Sequence, residues 1–221
     1  MLQAIVFDFD GTILETEGPD YRSWQEIFDA HGGELTLDVW IQCVGGAPAG
    51  FDPFAILKEQ TGVVLDRPAV HQARRKRVVE LIEQQPPMPG VEALISSAQQ
   101  AGIGLAVASS SPRVWVEGNL KRLGLRQHFQ AVRTADDVER VKPDPALYRL
   151  AAAALGSPPE YTLAIEDSRT GMLAAKGAGL HCVVVPNSVT QFSDFSQADL
   201  RLASLADLTP AELFARFRIG K

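Results

Sequence analysis

Five short apolar segments recur along this chain, and segments with helical spacing lie between most of them. The apolar segments are Ala4–Phe7, Ile103–Ala108, Ala131–Arg133, Thr162–Ile165 and Cys182–Val185. Each has the length and composition of a buried β-strand. Strands that alternate with helices predict an α/β fold, in which a Rossmann-like parallel sheet is covered by helices on both faces.

Three of the predicted helices have recognisable start signals. Ser111-Pro112 predicts an N-cap residue followed by proline at the first helical position, and Asp144-Pro145 repeats this arrangement. Ser168 is predicted to cap the helix that follows the fourth strand. These helices would connect successive strands of the sheet.

The segment from residue 18 to residue 87 interrupts the alternation, because it contains no clear buried strand. Its apolar residues predict helices around four groups: Tyr21 to Phe28, Val39 to Val44, Phe54 to Leu57, and Pro68 to Gln84. We therefore predict two domains. An α/β core would comprise residues 1–17 and 88–221, and an all-helical cap would comprise residues 18–87.

Charge and composition restrict the classes of function. The chain has 221 residues, 46% of them apolar and 22% charged, with a formal net charge of -6. Its only basic run is Arg74–Arg77, so it lacks the broad basic surface that nucleic acids require. A small phosphorylated metabolite needs only a local positive site and remains a suitable partner.

The remaining bulk features predict a soluble cytoplasmic monomer that does not contact membranes. Cys43 and Cys182 are too few for a disulfide scaffold. The N-terminal residues lack the basic and apolar regions of a secretory signal. No segment approaches the roughly 20 apolar residues of a membrane-spanning helix.

Polar residues follow three of the predicted strands. They are Asp8-Phe9-Asp10-Gly11-Thr12, Ser109-Ser110-Ser111 and Glu166-Asp167-Ser168, and Lys142 precedes a predicted helix. Ligands of open parallel sheets bind beyond the carboxyl ends of the strands, so these groups should converge. Clustered carboxylates repel one another, and a divalent cation removes that repulsion.

These residue types suit phosphate chemistry. Asp8, Asp167 and the backbone carbonyl of Asp10 offer the hard oxygen ligands that Mg²⁺ prefers. The phosphate would be bound by Lys142, Ser109, Ser110 and nearby backbone amides, with Gly11 allowing close approach of the backbone. A carboxylate can then attack phosphorus while a second one transfers protons, which assigns these roles to Asp8 and Asp10.

The same residues resemble the motifs of the haloacid dehalogenase superfamily, in the order that the family has them. The family's DxDG[T/V] motif matches Asp8–Thr12, and its strand-ending Ser or Thr matches Ser109. Its lysine motif matches Lys142-Pro143, and its last acidic motif matches Glu166-Asp167. The likeness covers essentially the whole chain, including the inserted helical cap.

The resemblance implies a role for each matched residue. Asp8 would be the nucleophile and Asp10 the general acid and base, while Ser109 and Lys142 would bind phosphate. The Mg²⁺ ligands would be Asp8, Asp10 and Asp167. Glu166 would be a further neighbour of the metal, acting through water. An aspartate at the position of Asp10 fits phosphate chemistry rather than dehalogenation.

Within the superfamily the chain is most similar to β-phosphoglucomutase and related sugar-phosphate phosphatases, but it departs from the mutase. The mutase has a hinge histidine four residues beyond a Thr that matches Thr16, where this chain has Asp20. It also has an Arg and a Lys in the cap loop, and the segment Val44–Gly50 contains neither. We therefore favour a phosphatase. A hexose-phosphate mutase and a non-catalytic binding protein on the same scaffold are the alternatives.

Several residues allow a structural as well as a functional interpretation. Arg74–Arg77 would be the solvated face of a cap helix, or one of its residues would meet the substrate. Gly45-Gly46 would be a specificity loop or a simple turn. Trp115 is predicted to pack on the sheet. The four histidines show no metal-binding spacing and are interpreted as structural.

Overall fold

The computed structural model describes residues 1–41 and 52–217, and the chain forms two compact units. The first unit comprises Met1–Leu14, Pro86–Asn187 and Gln191–Lys221. The second comprises Glu15–Gln85 and Ser188–Thr190. The predictions made for Val44 and for Gly45-Gly46 lie outside the described residues.

Over its described residues, the first unit contains a sheet of six parallel strands in the order β3-β2-β1-β4-β5-β6. The strands are β1 Ala4–Phe7, β2 Gly104–Ala108, β3 Ala131–Arg133, β4 Thr162–Glu166, β5 His181–Val184 and β6 Leu200–Arg201. The predicted α/β fold is confirmed. Strand β6 was not predicted, because a two-residue pair is too short to show a hydrophobic pattern.

Helices surround this sheet and form the second unit. Over the described residues they are α1 Glu17–Ala30, α2 Leu37–Ile41, α3 Pro53–Thr61, α4 Arg67–Glu83, α5 Val91–Gln100, α6 Arg113–Arg122, α7 Ala146–Ala154, α8 Arg169–Gly177 and α9 Pro210–Arg216. Within the described ranges, none of them combines the length and the apolar character that a bilayer-spanning helix requires.

Strand β1 lies in the middle of the sheet and determines where the polar strand ends meet. Val6 pairs with Ala106 of β2 on one side and with Ala164 of β4 on the other, and all three are fully buried. Their burial explains why these strands are continuous apolar segments instead of alternating ones. The strand order changes direction at β1, and such a switch point leaves a crevice beyond the carboxyl ends.

The predicted N-cap at Ser168 is confirmed, but those at Ser111 and Asp144 are wrong by one residue. Ser168 accepts a hydrogen bond from the backbone N–H of Gly171. Pro112, not Ser111, precedes the first residue of α6, and the Ser111 hydroxyl donates to an acidic side chain instead. Pro145 precedes α7, although the carboxylate of Asp144 still accepts from the second residue after it.

The second unit is helical over its described residues and has its own hydrophobic core. Buried aromatic and aliphatic side chains of α1, α2 and α3 form it, among them Trp24, Phe28, Trp40, Phe54 and Leu57. Trp24 and Phe54 meet edge to face, with ring centroids 5.2 Å apart. These are the residues whose helical spacing predicted the helices, so the same apolar pattern accounts for both the helices and their packing.

The basic run Arg74–Arg77 lies on α4 and is divided between solvent and ion pairs. Arg75 and Lys76 are exposed, as a solvated helix face requires. Arg74 pairs with Asp20 of α1 at 2.5 Å, and Arg77 binds both carboxylate oxygens of Glu26 at 2.8 and 2.9 Å. Both arginines connect α4 to α1, but only Arg74 departs from the solvated-face interpretation, since 16% of its side chain is exposed against 38% for Arg77.

Candidate active site

Three buried carboxylates meet at the carboxyl ends of β1 and β4. Asp8 follows β1, Glu166 is the last residue of β4, and Asp167 comes next. One carboxylate oxygen from each residue lies within 4.8 Å of the corresponding oxygens of the other two. Because β1 and β4 are parallel neighbours in register, residues far apart in the sequence come together here. The predicted convergence of these acidic residues is what the geometry shows.

Lys142 is the positive partner of this cluster. Its ammonium donates to Asp8 Oδ1 and, at 2.6 Å, to Glu166 Oε1, and only 5% of its side chain is exposed. Burial by itself would lower the pKa of Lys142, but the charges of the two carboxylates outweigh burial and raise it. Lys142 therefore remains charged and supplies a fixed positive site beside Asp8.

For Asp8, the candidate nucleophile, burial is the largest influence on the pKa. Burial raises the pKa of Asp8, and the nearby charges of Glu166 and Asp10 add to the rise while Lys142 opposes it. Asp8 and Glu166 share the ammonium of Lys142, and the carboxylate of Asp167 adds further negative charge beside them. A divalent cation would balance it, and oxygen-only ligands suit Mg²⁺. The residues present therefore fit the metal that the sequence predicts.

Both carboxylate oxygens of Glu166 accept hydrogen bonds from protein groups. Besides Lys142, Oε1 accepts from the hydroxyl of Tyr148 at 2.6 Å. Oε2 accepts from the backbone N–H groups of Asp167 and Ser168 and from the hydroxyl of Ser168, at 3.1 to 3.3 Å. Because both of its oxygens already accept hydrogen bonds from protein groups, Glu166 is suited to orienting Lys142 and the first turn of α8. It is less suited to binding a metal directly.

Glycine is required at position 171 because α8 passes directly against Glu166. A Cβ on Gly171 would overlap the Glu166 carboxylate closer than any non-bonded contact allows. We expect Gly171→Ala to destabilise the protein by about 2 kcal/mol and to displace Glu166 and Lys142. Thermal unfolding and a phosphatase assay would measure the two effects.

Gly177 at the other end of α8 provides the matched control. A Cβ there would find its nearest neighbour, Pro145 Cβ, at an ordinary 3.5 Å. Gly177→Ala should leave stability unchanged or raise it by roughly 0.5 kcal/mol, because alanine is the better helix former. Equal behaviour of the two variants would contradict the proposed packing constraint.

Asp10 directs its carboxylate toward the first turn of α6 and the loop before it, from which three side chains donate hydrogen bonds to it. Oδ2 accepts from Ser111 at 2.6 Å and from Ser109 at 3.3 Å, and Oδ1 accepts from the indole N–H of Trp115 at 2.9 Å. Ser109 is buried and Ser110 is exposed, so of these two predicted phosphate ligands only Ser109 contacts Asp10. The prediction that Trp115 simply packs on the sheet missed its hydrogen bond.

The turn at Gly11 packs directly against the carboxylate of Asp167. Gly11 has φ +79°, and a Cβ there would overlap the Asp167 carboxylate. Asn187 Nδ2 donates to Asp167 Oδ2 at 2.9 Å. Asn187 was not predicted, although it lies two residues beyond the fifth predicted strand and the rule that found the other strand-end residues would have found it.

Comparisons with known proteins identify the family of this chain. The family model for haloacid dehalogenase-like hydrolases matches residues 5–185. A candidate phosphatase of Bacillus subtilis, YhcW, is 48% identical over 213 residues, which is 96% of each chain. Hexitol phosphatase B of Escherichia coli is 29% identical over 212 residues, covering 95% of this chain and 96% of that protein.

A solved structure supports the same relationship. CbbY from Rhodobacter sphaeroides in complex with phosphate is 36% identical, with a TM-score of 0.72, covering 94% of this chain and 96% of that one. A mutant of CbbY has been solved in complex with xylulose-(1,5)bisphosphate, with a TM-score of 0.69. From the matched family model and these relatives, we conclude that this chain belongs to the haloacid dehalogenase-like hydrolase family.

Proposed function

We propose that this protein is a Mg²⁺-dependent phosphatase that hydrolyses a small phosphorylated carbohydrate through an aspartyl-phosphate, an acyl phosphate formed on Asp8. One observation carries the proposal. Asp8 is buried against Lys142, whereas Asp10, two residues away, is bound by hydroxyl and indole donors. Two carboxylates in different environments can serve as nucleophile and as proton-transfer group.

In the first half of the reaction, an Asp8 carboxylate oxygen attacks phosphorus and the bond to the leaving oxygen breaks. Asp10 donates a proton to that oxygen, which leaves as an alcohol. Lys142 and Ser109 bind the phosphoryl oxygens, and the charge of Lys142 offsets the repulsion between two anions. In the second half, Asp10 removes a proton from water, the water oxygen attacks phosphorus, and Asp8 is released as a carboxylate.

Mg²⁺ is part of the proposal because of the residues around Asp8. We assign its ligands as the carboxylates of Asp8 and Asp167 and the backbone carbonyl of Asp10. When bound, the ion would neutralise phosphate charge and polarise the phosphoryl group. Asn187 orients the Asp167 carboxylate, and Glu166 orients Lys142 beside Asp8.

The relatives support the substrate class. CbbY has been crystallised with phosphate and with a pentulose bisphosphate, and another relative is named a hexitol phosphatase. We propose the helical second unit as the cap that selects the substrate. A screen of phosphate release from many small phosphomonoesters, with and without Mg²⁺, tests this proposal. Release from sugar phosphates is the expected result, and turnover of phosphoproteins without activity on small esters would refute it.

The mutase alternative needs its own experiment. Supplying β-glucose 1-phosphate with a bisphosphate primer distinguishes the two activities, because a mutase forms glucose 6-phosphate and a phosphatase releases free phosphate. We expect free phosphate. Asp20, which stands where the mutase has its hinge histidine, is already committed to an ion pair with Arg74.

Metal removal is expected to abolish turnover reversibly. A chelator should stop phosphate release, and added Mg²⁺ should restore it. Asp167→Asn should raise the Mg²⁺ concentration for half-maximal activity by at least about tenfold, because one anionic ligand is lost. The exposed Asp194 serves as control, and Asp194→Asn should leave the Mg²⁺ requirement unchanged. Full activity in the chelator would refute the metal assignment.

A further inference from the structure

The indole of Trp115 reaches the carboxylate that the proposed function uses as acid and base. Its Nε1–H donates to Asp10 Oδ1 at 2.9 Å, while the hydroxyls of Ser111 and Ser109 contact Oδ2 at 2.6 and 3.3 Å. The two carboxylate oxygens therefore have different partners. One faces an indole and the other faces hydroxyl groups.

Local structure holds the indole in this place. Trp115 is the third residue of α6, and its backbone N–H donates to Pro112 O at 3.1 Å. Val116 and Leu120 on the same helix are fully buried, which anchors α6 to the core. The indole itself is half-buried. It projects from an anchored first turn, so Asp10 contacts a fixed donor and not a mobile surface side chain.

An indole N–H can only donate, whereas a serine hydroxyl can donate or accept. The carbonyl oxygen of a protonated carboxyl group is its better acceptor, so the contact with Trp115 favours the carbonyl oxygen at Oδ1. A protonated Asp10 then carries its proton on Oδ2, the oxygen beside Ser111 and Ser109. Oδ2 also contacts Ser109, a proposed phosphate ligand, so this oxygen lies on the side of the proposed phosphate site.

We propose that Trp115 is a positioning residue that holds Asp10 so that Oδ2 is the oxygen that gives and takes the proton. The inference rests on the proposed phosphatase function. In the phosphorylation step, Asp8 forms a bond to phosphorus, the bond from phosphorus to the leaving oxygen breaks, and the proton of Oδ2 moves to that oxygen. In hydrolysis of the aspartyl-phosphate, Oδ2 accepts a proton from water while the water oxygen bonds to phosphorus and the bond from phosphorus to Asp8 breaks.

Leaving-group dependence separates positioning from a merely structural role. Trp115→Phe keeps the ring and removes the donor. We measure kcat/KM, which reports the steps up to alcohol release, for two esters: p-nitrophenyl phosphate and the alkyl phosphate that wild type hydrolyses best. The alkyl oxygen needs a proton to leave, and p-nitrophenolate does not. We expect a fall of about 10- to 100-fold for the alkyl ester and less than about threefold for p-nitrophenyl phosphate.

A control variant at the neighbouring Val114 shows whether a loss of activity is specific to Trp115. Val114, the preceding residue of α6, has 82% of its surface exposed, and Val114→Ala should match wild type on both esters. Equal falls for the two esters in Trp115→Phe, or no fall for either, would overturn the positioning role. If wild type hydrolyses neither ester, the proposed function fails instead.

A spectroscopic measurement tests the contact without relying on the folding of a Trp115 variant. The chain has three tryptophans, so a ¹⁵N-labelled sample should show three indole N–H signals. In Asp10→Ala, the Trp115 indole proton should move upfield more than those of Trp24 and Trp40, because it loses a charged acceptor. An unmoved Trp115 signal would overturn the inference.

Discussion

Asp8→Asn is expected to abolish phosphate release, lowering turnover by at least about 10⁴-fold. The amide cannot attack phosphorus as a carboxylate does, so no aspartyl-phosphate forms on the enzyme. The fold should survive, because Lys142 retains its ion pair with Glu166 at 2.6 Å. Phosphate release from the best substrate measures the loss, and circular dichroism checks the fold.

A labelling experiment sharpens this prediction. Brief incubation of wild type with a ³²P-labelled substrate followed by acid quenching should leave label on the protein, and Asp8→Asn should retain none. Labelled Asp8→Asn protein, or turnover near that of wild type, would show that another residue is the nucleophile. Inactivity of both proteins over the ester panel would favour the non-catalytic alternative.

Lys142→Ala is expected to damage both catalysis and stability. The variant leaves Asp8 and Glu166 without the ammonium that lies between them, in a site where both side chains are buried. Removing one partner of a buried ion pair costs about 3 to 5 kcal/mol. Loss of a fixed charge beside the phosphoryl group should lower kcat by roughly 10²- to 10³-fold. Denaturant unfolding without Mg²⁺ and a phosphate-release assay measure the two losses.

Lys176 supplies the matched control for stability. It pairs with Asp199 at 2.7 Å, but about a third of each side chain is exposed. Lys176→Ala should therefore cost at most about 1 kcal/mol, since water screens the pair. A similar loss of unfolding free energy in both lysine variants would contradict the special role of the buried pair.

The carboxylate cluster was predictable because its acidic residues come directly after apolar segments that the sequence identifies as strands. Asp8 and Asp167 each follow a buried apolar segment, and parallel strands bring such ends to one edge of a sheet. Lys142 was predicted from its place before a helix and from the match to the family's lysine motif, since a lysine considered alone looks like any surface lysine. The structure shows its charge buried between two carboxylates.

Tyr148 and Trp115 were not predicted as part of the site, for a physical reason. An aromatic residue at helical spacing indicates a buried face but not the polar atom that its own hydroxyl or N–H will meet. Tyr148 bonds Glu166 18 residues away, and Trp115 bonds Asp10 105 residues away. Such pairs depend on how α6 and α7 pack on the sheet.

The sequence by itself determined the five main strands, the α/β class and the strand-end residues, because burial and strand polarity are encoded in local patterns of apolar and polar side chains. Only the tertiary structure decided which groups share a hydrogen bond. It showed that Glu166 is surrounded by protein donors, that Gly171 admits no side chain, and that Asp10 faces α6. These features depend on distances between elements, and a linear pattern does not contain those distances.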